Sequence, residues 1–246
     1  MNEDFIRNAV QRIPELNPDC IVCSGDITCI GSPAEFHKAC KLLEPLTSSA
    51  DYDFLYVPGN HDAYISDRNW RHALTDAFGK LNKQRWTLEQ MPVQHEMGGV
   101  RMFLANQCHP TPIWGSYGTL GDDVGESLQK WAAEDTADHV THCLIGHFPT
   151  RREHGARLAR RRRLRRGELI RRMLESGQLD LSLCGHIHDP YVNRFDSGAL
   201  EVCAGSLTTH GCMDIIDIDG AGRISQSWLT LTTNPAFSQK TVKDPK

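Results

Sequence analysis

Asp19-Cys20-Ile21-Val22-Cys23-Ser24-Gly25-Asp26 and Asp53-Phe54-Leu55-Tyr56-Val57-Pro58-Gly59-Asn60-His61-Asp62 share one design. A short apolar run closes on glycine and then on a side chain that binds metals. His142-Cys143-Leu144-Ile145-Gly146-His147 repeats it, and so does Leu179-Asp180-Leu181-Ser182-Leu183-Cys184-Gly185-His186-Ile187-His188. Apolar runs of this length, stopped by turn residues, read as buried strands. Helical patterns lie between them. Residues 4–14 carry Phe5, Ile6, Val10 and Ile13 on one face, and 33–46 open on Ser32 as N-cap with Pro33 in the first turn. Residues 124–134 and 156–176 also read as helices, the latter stopped by Gly177. This alternation predicts an α/β fold with a helix-covered sheet. Four further strands are expected at 191–195, 199–204, 212–218 and 224–231. Residues 63–117 read as an irregular insertion and 232–246 as a flexible tail, leaving 1–231 as a single domain.

The chain has 246 residues and 39% hydrophobic side chains, enough to bury a sizeable core. No apolar run reaches the ~18 residues of a membrane span. The acidic opening Met1-Asn2-Glu3-Asp4-Phe5 lacks a signal-peptide apolar core, which points to the cytoplasm. Nine irregularly spaced cysteines then read as reduced, buried side chains, including the Cys20/Cys23 pair inside an apolar run. The net charge of −4 hides an asymmetry: eleven arginines and two glutamates lie between Arg151 and Arg172. Leu158, Leu164, Leu169, Ile170, Met173 and Leu174 fall near helical spacing, so this block reads as a solvated Arg-rich helix region over 151–176. A face for phosphate, nucleic acid or an acidic partner is the alternative.

Parallel α/β sheets place their chemistry beyond the carboxyl ends of the strands. Four such ends offer Asp26, Asn60, His61, His147, His186 and His188. In an extended segment, i and i+2 share a face, so His186 and His188 would approach two neighbouring ions together. Mixed His, Asp and Asn ligands suit manganese, iron or zinc. Two such ions would generate a hydroxide nucleophile at neutral pH and clamp phosphoryl oxygens in line.

Gly25-Asp26, Gly59-Asn60-His61-Asp62, Gly146-His147 and Gly185-His186-Ile187-His188 resemble, in order and spacing, the calcineurin-like metallophosphoesterase superfamily. Asn17-Pro18-Asp19 through Thr28 and Ala204-Gly205-Ser206 look most like bacterial class III cyclic-nucleotide phosphodiesterases. The resemblance covers about residues 4–231 and implies a four-layer αββα sandwich of two mixed β sheets flanked by helices. It implies two divalent metal ions. Asp26 would bridge them, Asn60, His147 and His186 would complete one, and His188 would bind the other. His61 would protonate the leaving oxygen or steady the transition state, oriented by Asp62. The implied activity is metal-dependent hydrolysis of a small phosphodiester or phosphomonoester.

One family feature is missing: the first strand ending in Asp-x-His, which supplies two ligands to the metal that His188 binds. Either the sequence starts downstream of that strand, so that activity and stability of this form are impaired, or the site is divergent. The first is favoured, because the other ligands are present. A catalytically weak scaffold of the same fold and a nuclease using the Arg block are the competing functions. The lack of aromatic residues among the arginines counts against nucleic acid. His109 and Trp114 are candidates for a substrate pocket, and His210 for a place near the metals. Cys143 and Cys184 read as core.

Overall fold

The computed structural model describes residues 3–112, 114–134 and 140–231. His139 and the expected tail at 232–246 lie outside the described residues. Among the described residues, twelve strands and six α-helices follow in chain order. They are α1 (Glu3–Arg12), β1 (Cys20–Cys23), α2 (Pro33–Thr47), β2 (Asp53–Tyr56), α3 (Arg68–Leu81), β3 (Val93–Met97), β4 (Val100–Leu104) and β5 (Gly118–Thr119). Then come α4 (Asp122–Ala132), β6 (Thr141–Ile145), β7 (Leu164–Arg165), α5 (Glu168–Ser176), β8 (Leu181–Cys184), β9 (Tyr191–Arg194), β10 (Leu200–Cys203), α6 (Leu207–His210), β11 (Cys212–Ile218) and β12 (Ile224–Thr230).

Six strands form one mixed sheet in the order β3-β4-β6-β8-β10-β9. β4, β6, β8 and β10 run parallel, and an antiparallel strand borders each side. The parallel pair β1–β2 and the antiparallel pair β11–β12 form a second β layer. Leu55, Val57, Cys20 and Val22 from the first pair and Ile216, Ile218, Ile224 and Trp228 from the second pack with Met102, Cys143, Leu181 and Val202 of the six-stranded sheet. The other face of that sheet buries Phe103 and Leu144 against Leu128 and Trp131 of α4 and Ile170, Met173 and Leu174 of α5. The other face of β1–β2 buries Phe54 and Tyr56 against Leu46 of α2 and Phe78 and Leu81 of α3. The layers are therefore α/β/β/α, the expected sandwich.

Local chemistry sets the helix entries. Ser32 and Glu35 form a reciprocal capping box at the start of α2, with Pro33 at the first helical position. Asp67 caps α3 through Asn69 N and Trp70 N. The strands 191–195, 199–204, 212–218 and 224–231 are present within a residue or so at each end.

Two stretches differ from expectation. Residues 63–117 are not irregular: they hold α3 and the β3–β4 hairpin, whose β4 is an interior strand paired with β6. The core face of α3 is Leu74, Ala77, Phe78 and Leu81, with Gly79 also buried. Such small residues, mixed with His and Arg, give a weak apolar signal. The Arg-rich block is α-helical only in α5, with a 3-10 turn at Glu153–Gly155 before it; residues 156–163 form no regular helix or strand. Leu158 packs with Cys184, Ile187, Tyr191 and Cys203, whereas Leu164 packs with Leu120, Leu128 and Ile170. Leucines sunk into two separate clusters do not share a helix face.

Candidate metal centre

All four Gly-ligand corners meet at the carboxyl ends of β1, β2, β6 and β8. The first two interlock backbone to backbone. A Cβ on Gly25 (φ +99°) would lie 2.4 Å from Gly59 N, and one on Gly59 would lie 2.1 Å from Asp26 Oδ1. Asp26 itself takes φ +58°, which aims its carboxylate across this junction. Asp26 Oδ1 accepts from His61 N at 2.8 Å.

Asn60 Oδ1 lies 3.2 Å from His147 Nε2 and 2.8 Å from His186 Nδ1, and His147 Nε2 lies 3.3 Å from Asp26 Oδ2. Each ring is fixed by a backbone carbonyl on its far side. His147 Nδ1 donates to Ser24 O at 2.6 Å, and His186 Nε2 donates to Arg162 O at 2.9 Å. The nitrogen turned toward Asn60 is therefore the one bearing the lone pair in each neutral ring. Burial, reinforced by nearby His147, lowers the His186 pKa to about 3, so its ring is neutral at pH 7. Burial pushes His147 down and Asp26 up, but their mutual attraction wins at both. Asp26 sits at about 2 and His147 is raised.

A carboxylate oxygen, an amide oxygen and two imidazole nitrogens thus face one another, while the buried Asn60 Nδ2 has no partner. Asn60 Oδ1 and His186 Nδ1 set acceptor against acceptor, and attraction to Asp26 favours a proton on His147 Nε2; a cation in that proton's place would meet lone pairs from all four side chains. The mixed O/N set fits a borderline divalent ion. Among the described residues no group of three or more His, Cys, Asp and Glu side chains is arranged to hold a metal ion.

His188 stands apart. It is exposed, and among the described residues no hydrogen bond or ion pair joins it to the other four. The segment is not extended as expected. His186 takes φ +62°, and Ile187 N bonds Gly185 O at 2.6 Å, so the i, i+2 rule does not apply. His210, on α6 and expected near the metals, lies 3.7 Å from Asp189, and among the described residues no hydrogen bond or ion pair joins it to the four.

His61 is half-buried, and its Nδ1 donates to Cys29 O at 2.6 Å, which leaves Nε2 as its exchangeable atom. The expected orientation by Asp62 is replaced by this carbonyl. Asp62 instead ties the two corners together. Its Oδ2 accepts from Asp26 N, Gly59 N and the Tyr56 hydroxyl at 2.8, 2.9 and 2.9 Å. Its Oδ1 accepts from Thr28 N and Thr28 Oγ1 at 3.0 and 2.8 Å. Burial, then the charge of Asp26, raises its pKa. Sequence reasoning also missed Gln107, buried after β4, whose Oε1 accepts from His147 N and Phe148 N at 3.0 and 2.8 Å. Its strand end was the signal, but the strand lay in the stretch read as irregular.

Cys20 and Cys23 are pushed up to about 12 by burial, in keeping with packed, inert thiols. Among the described residues, no helix is long and apolar enough to cross a membrane.

The calcineurin-like phosphoesterase family profile matches residues 2–190. No curated protein matches the chain. Among solved structures, a Staphylococcus aureus protein provisionally assigned as a 5′-nucleotidase superposes with TM-score 0.59 at 17% identity, over 96% of this chain and 50% of its own. The purple acid phosphatase PPD1 of yellow lupin gives 0.56 at 13%, over 93% and 44%. A dimetal phosphatase from Danio rerio gives 0.56 at 14%, over 93% and 82%. At these identities the likeness is one of fold, and the chain spans half the length of the first structure and less than half of the second.

Proposed function

Because the chain belongs to the calcineurin-like phosphoesterase family, we propose that it hydrolyses a small phosphodiester or phosphomonoester with divalent metal ions, manganese, iron or zinc, at the Asp26–Asn60–His147–His186 cluster. The observation that carries this reading is the run of contacts from His186 Nδ1 to Asn60 Oδ1, on to His147 Nε2 and then to Asp26 Oδ2, at 2.8, 3.2 and 3.3 Å. Asp26, Asn60, His147 and His186 would hold one cation, and Asp26 with His188 is what this sequence offers a second. Bound cations supply the positive charge that polarises a phosphoryl group and lowers the pKa of a nucleophilic water.

The chain's own groups do the rest. The Ser24 and Arg162 carbonyls hold the two ligand rings in the tautomer that points a lone pair inward. His61 would present Nε2 to the leaving oxygen, because the Cys29 carbonyl holds its Nδ1–H, and only the doubly protonated ring has a proton on Nε2 to give. The backbone bond from His61 N to Asp26 Oδ1 couples the acid to the ligand beside it. Asp62 acts on both through the backbone it gathers.

The test is metal analysis beside hydrolysis of bis(p-nitrophenyl) phosphate. Wild type is expected to turn over only when metal-loaded, and Asn60→Ala and His147→Ala to lose bound metal. His61→Ala is expected to keep its metal and lose about 10²–10⁴-fold in kcat. A metal-loaded wild type without turnover, or Asn60→Ala binding metal like wild type, overturns the assignment.

A further inference from the structure

The arginine block is placed on the candidate site itself. The Arg162 carbonyl accepts from His186 Nε2 at 2.9 Å, so the chain at 160–163 crosses directly over a proposed ligand. Leu158 pins the stretch from below, buried with Cys184, Ile187, Tyr191 and Cys203. On its outer side β7 pairs with β5, Ser116 N donates to Arg161 O at 2.8 Å, and the Arg165 guanidinium lies 3.6 Å over the Tyr117 ring. Its base is held by buried polar groups. Glu201, fully buried, accepts from Thr150 N at 2.7 Å, and Asn193 Nδ2 and the Tyr191 hydroxyl donate to the Arg152 and Arg151 carbonyls at 3.1 and 2.6 Å.

This fixed loop presents Arg157, Arg160, Arg161, Arg162 and Arg163, all exposed, and none is paired with a carboxylate among the described residues. By contrast Arg151, Arg166 and Arg171 pair with Glu168, Asp122, and Glu168 with Glu175. Like charges held in one short loop repel, and a solvated surface gains nothing by bracing them. Guanidinium groups match phosphate oxygens in a planar, two-point geometry. Trp114, exposed two residues from the Ser116–Arg161 bond, adds an aromatic surface.

We infer that residues 157–163 form a specificity loop that selects a small polyanionic phosphate ester, one carrying a phosphate besides the one cleaved. The inference rests on the phosphoesterase reading and adds the substrate class. Its first test compares two chromogenic probes: the p-nitrophenyl ester of thymidine 5′-phosphate with and without a 3′-phosphate. Wild type is expected to favour the 3′-phosphorylated probe by about tenfold or more in kcat/KM, less at about 300 mM than at about 20 mM salt. With Arg157, Arg160, Arg161 and Arg163 all changed to Gln, the ratio should fall to within about twofold of unity. A ratio near unity in wild type, or unchanged in the variant, overturns the proposal.

Calorimetric binding of tripolyphosphate supplies a readout without turnover, and the same substitutions should weaken it about tenfold. Equal tripolyphosphate binding by wild type and variant also overturns the proposal. Loss of that binding in the variant, with no hydrolysis of either probe by metal-loaded wild type, defeats the hydrolase reading and leaves the loop's anion selectivity standing. Arginine-dependent binding of duplex DNA tighter than that of tripolyphosphate, with a steep salt slope, overturns it in favour of a nucleic-acid face.

Discussion

Replacing Asp62 by Asn tests whether this carboxylate is a structural tie. Asp62 and Thr28 are each 3% exposed, so water cannot replace a lost partner. Five donors converge on the two carboxylate oxygens: three at Oδ2 and two at Oδ1. An amide presents N–H to one of these sets. The cheaper orientation puts Nδ2 beside Thr28, whose hydroxyl can rotate and accept, and leaves the Thr28 N–H facing another donor. One orphaned buried N–H costs about 1–3 kcal/mol. The three bonds at the other oxygen lose charge assistance, while relief of repulsion with Asp26 and of the buried charge offsets part of that loss. The net is about 3 kcal/mol, which for a chain of this size lowers Tm by roughly 6–12 °C. Tyr56→Phe removes one donor and orphans nothing, so about 1 kcal/mol is expected. Thermal and urea unfolding followed by circular dichroism, without substrate, keep the readout separate from activity. A loss below about 1 kcal/mol for Asp62→Asn, or a Tyr56→Phe loss as large, would refute the reasoning.

Two more outcomes follow from carboxylates away from the cluster, one half-buried and one fully buried. Burial raises Asp214 to about 7, with Oδ1 bonded to Gln226 Nε2 at 2.7 Å and Oδ2 without a partner. Between pH ~4 and ~7 the folded chain keeps a proton that the unfolded chain releases, so stability falls as pH rises and then levels off. Asp214→Asn should remove this slope and stabilise by about 1–3 kcal/mol at pH 8 but hardly at pH 4.5; equal effects at both pH values in urea titrations would contradict it. Glu201→Ala strands the Thr150 N–H and one N–H of Asn193, whose Nδ2 keeps the Arg152 carbonyl, so unfolding should occur about 2–4 kcal/mol more easily, with residues 150–155 gaining hydrogen exchange before the rest of the sheet. Unchanged protection there would show that the loop base does not depend on Glu201.

The site-bearing corners were readable because their constraint is local. A buried strand that must turn beside another backbone leaves a glycine, and the next side chain has one direction to face. Gly25 and Gly59 are the clearest instances. What fixes the rings was not readable: the oxygens of Ser24, Cys29 and Arg162 are backbone atoms, present at every position and identified only by the fold. Asp62 was visible as a candidate but assigned the wrong partner, since its five donors come from residues 26, 28, 56 and 59. The Arg stretch misled because leucines at near-helical spacing were counted on one face, whereas they enter two separate clusters. α3 was hidden by a core face built partly from alanine and glycine, whose burial leaves little periodicity to detect.

The contact between Gly25 and Gly59 makes two distant parts of the gene answer to one another. Even a methyl group at either position presses on the opposite turn and thereby on a proposed ligand. Neither glycine has a side chain to withdraw, and the obstacle to Gly25 is backbone, so no change at one corner makes room at the other. In a mutational library both positions should stay glycine, whether they are varied singly or together.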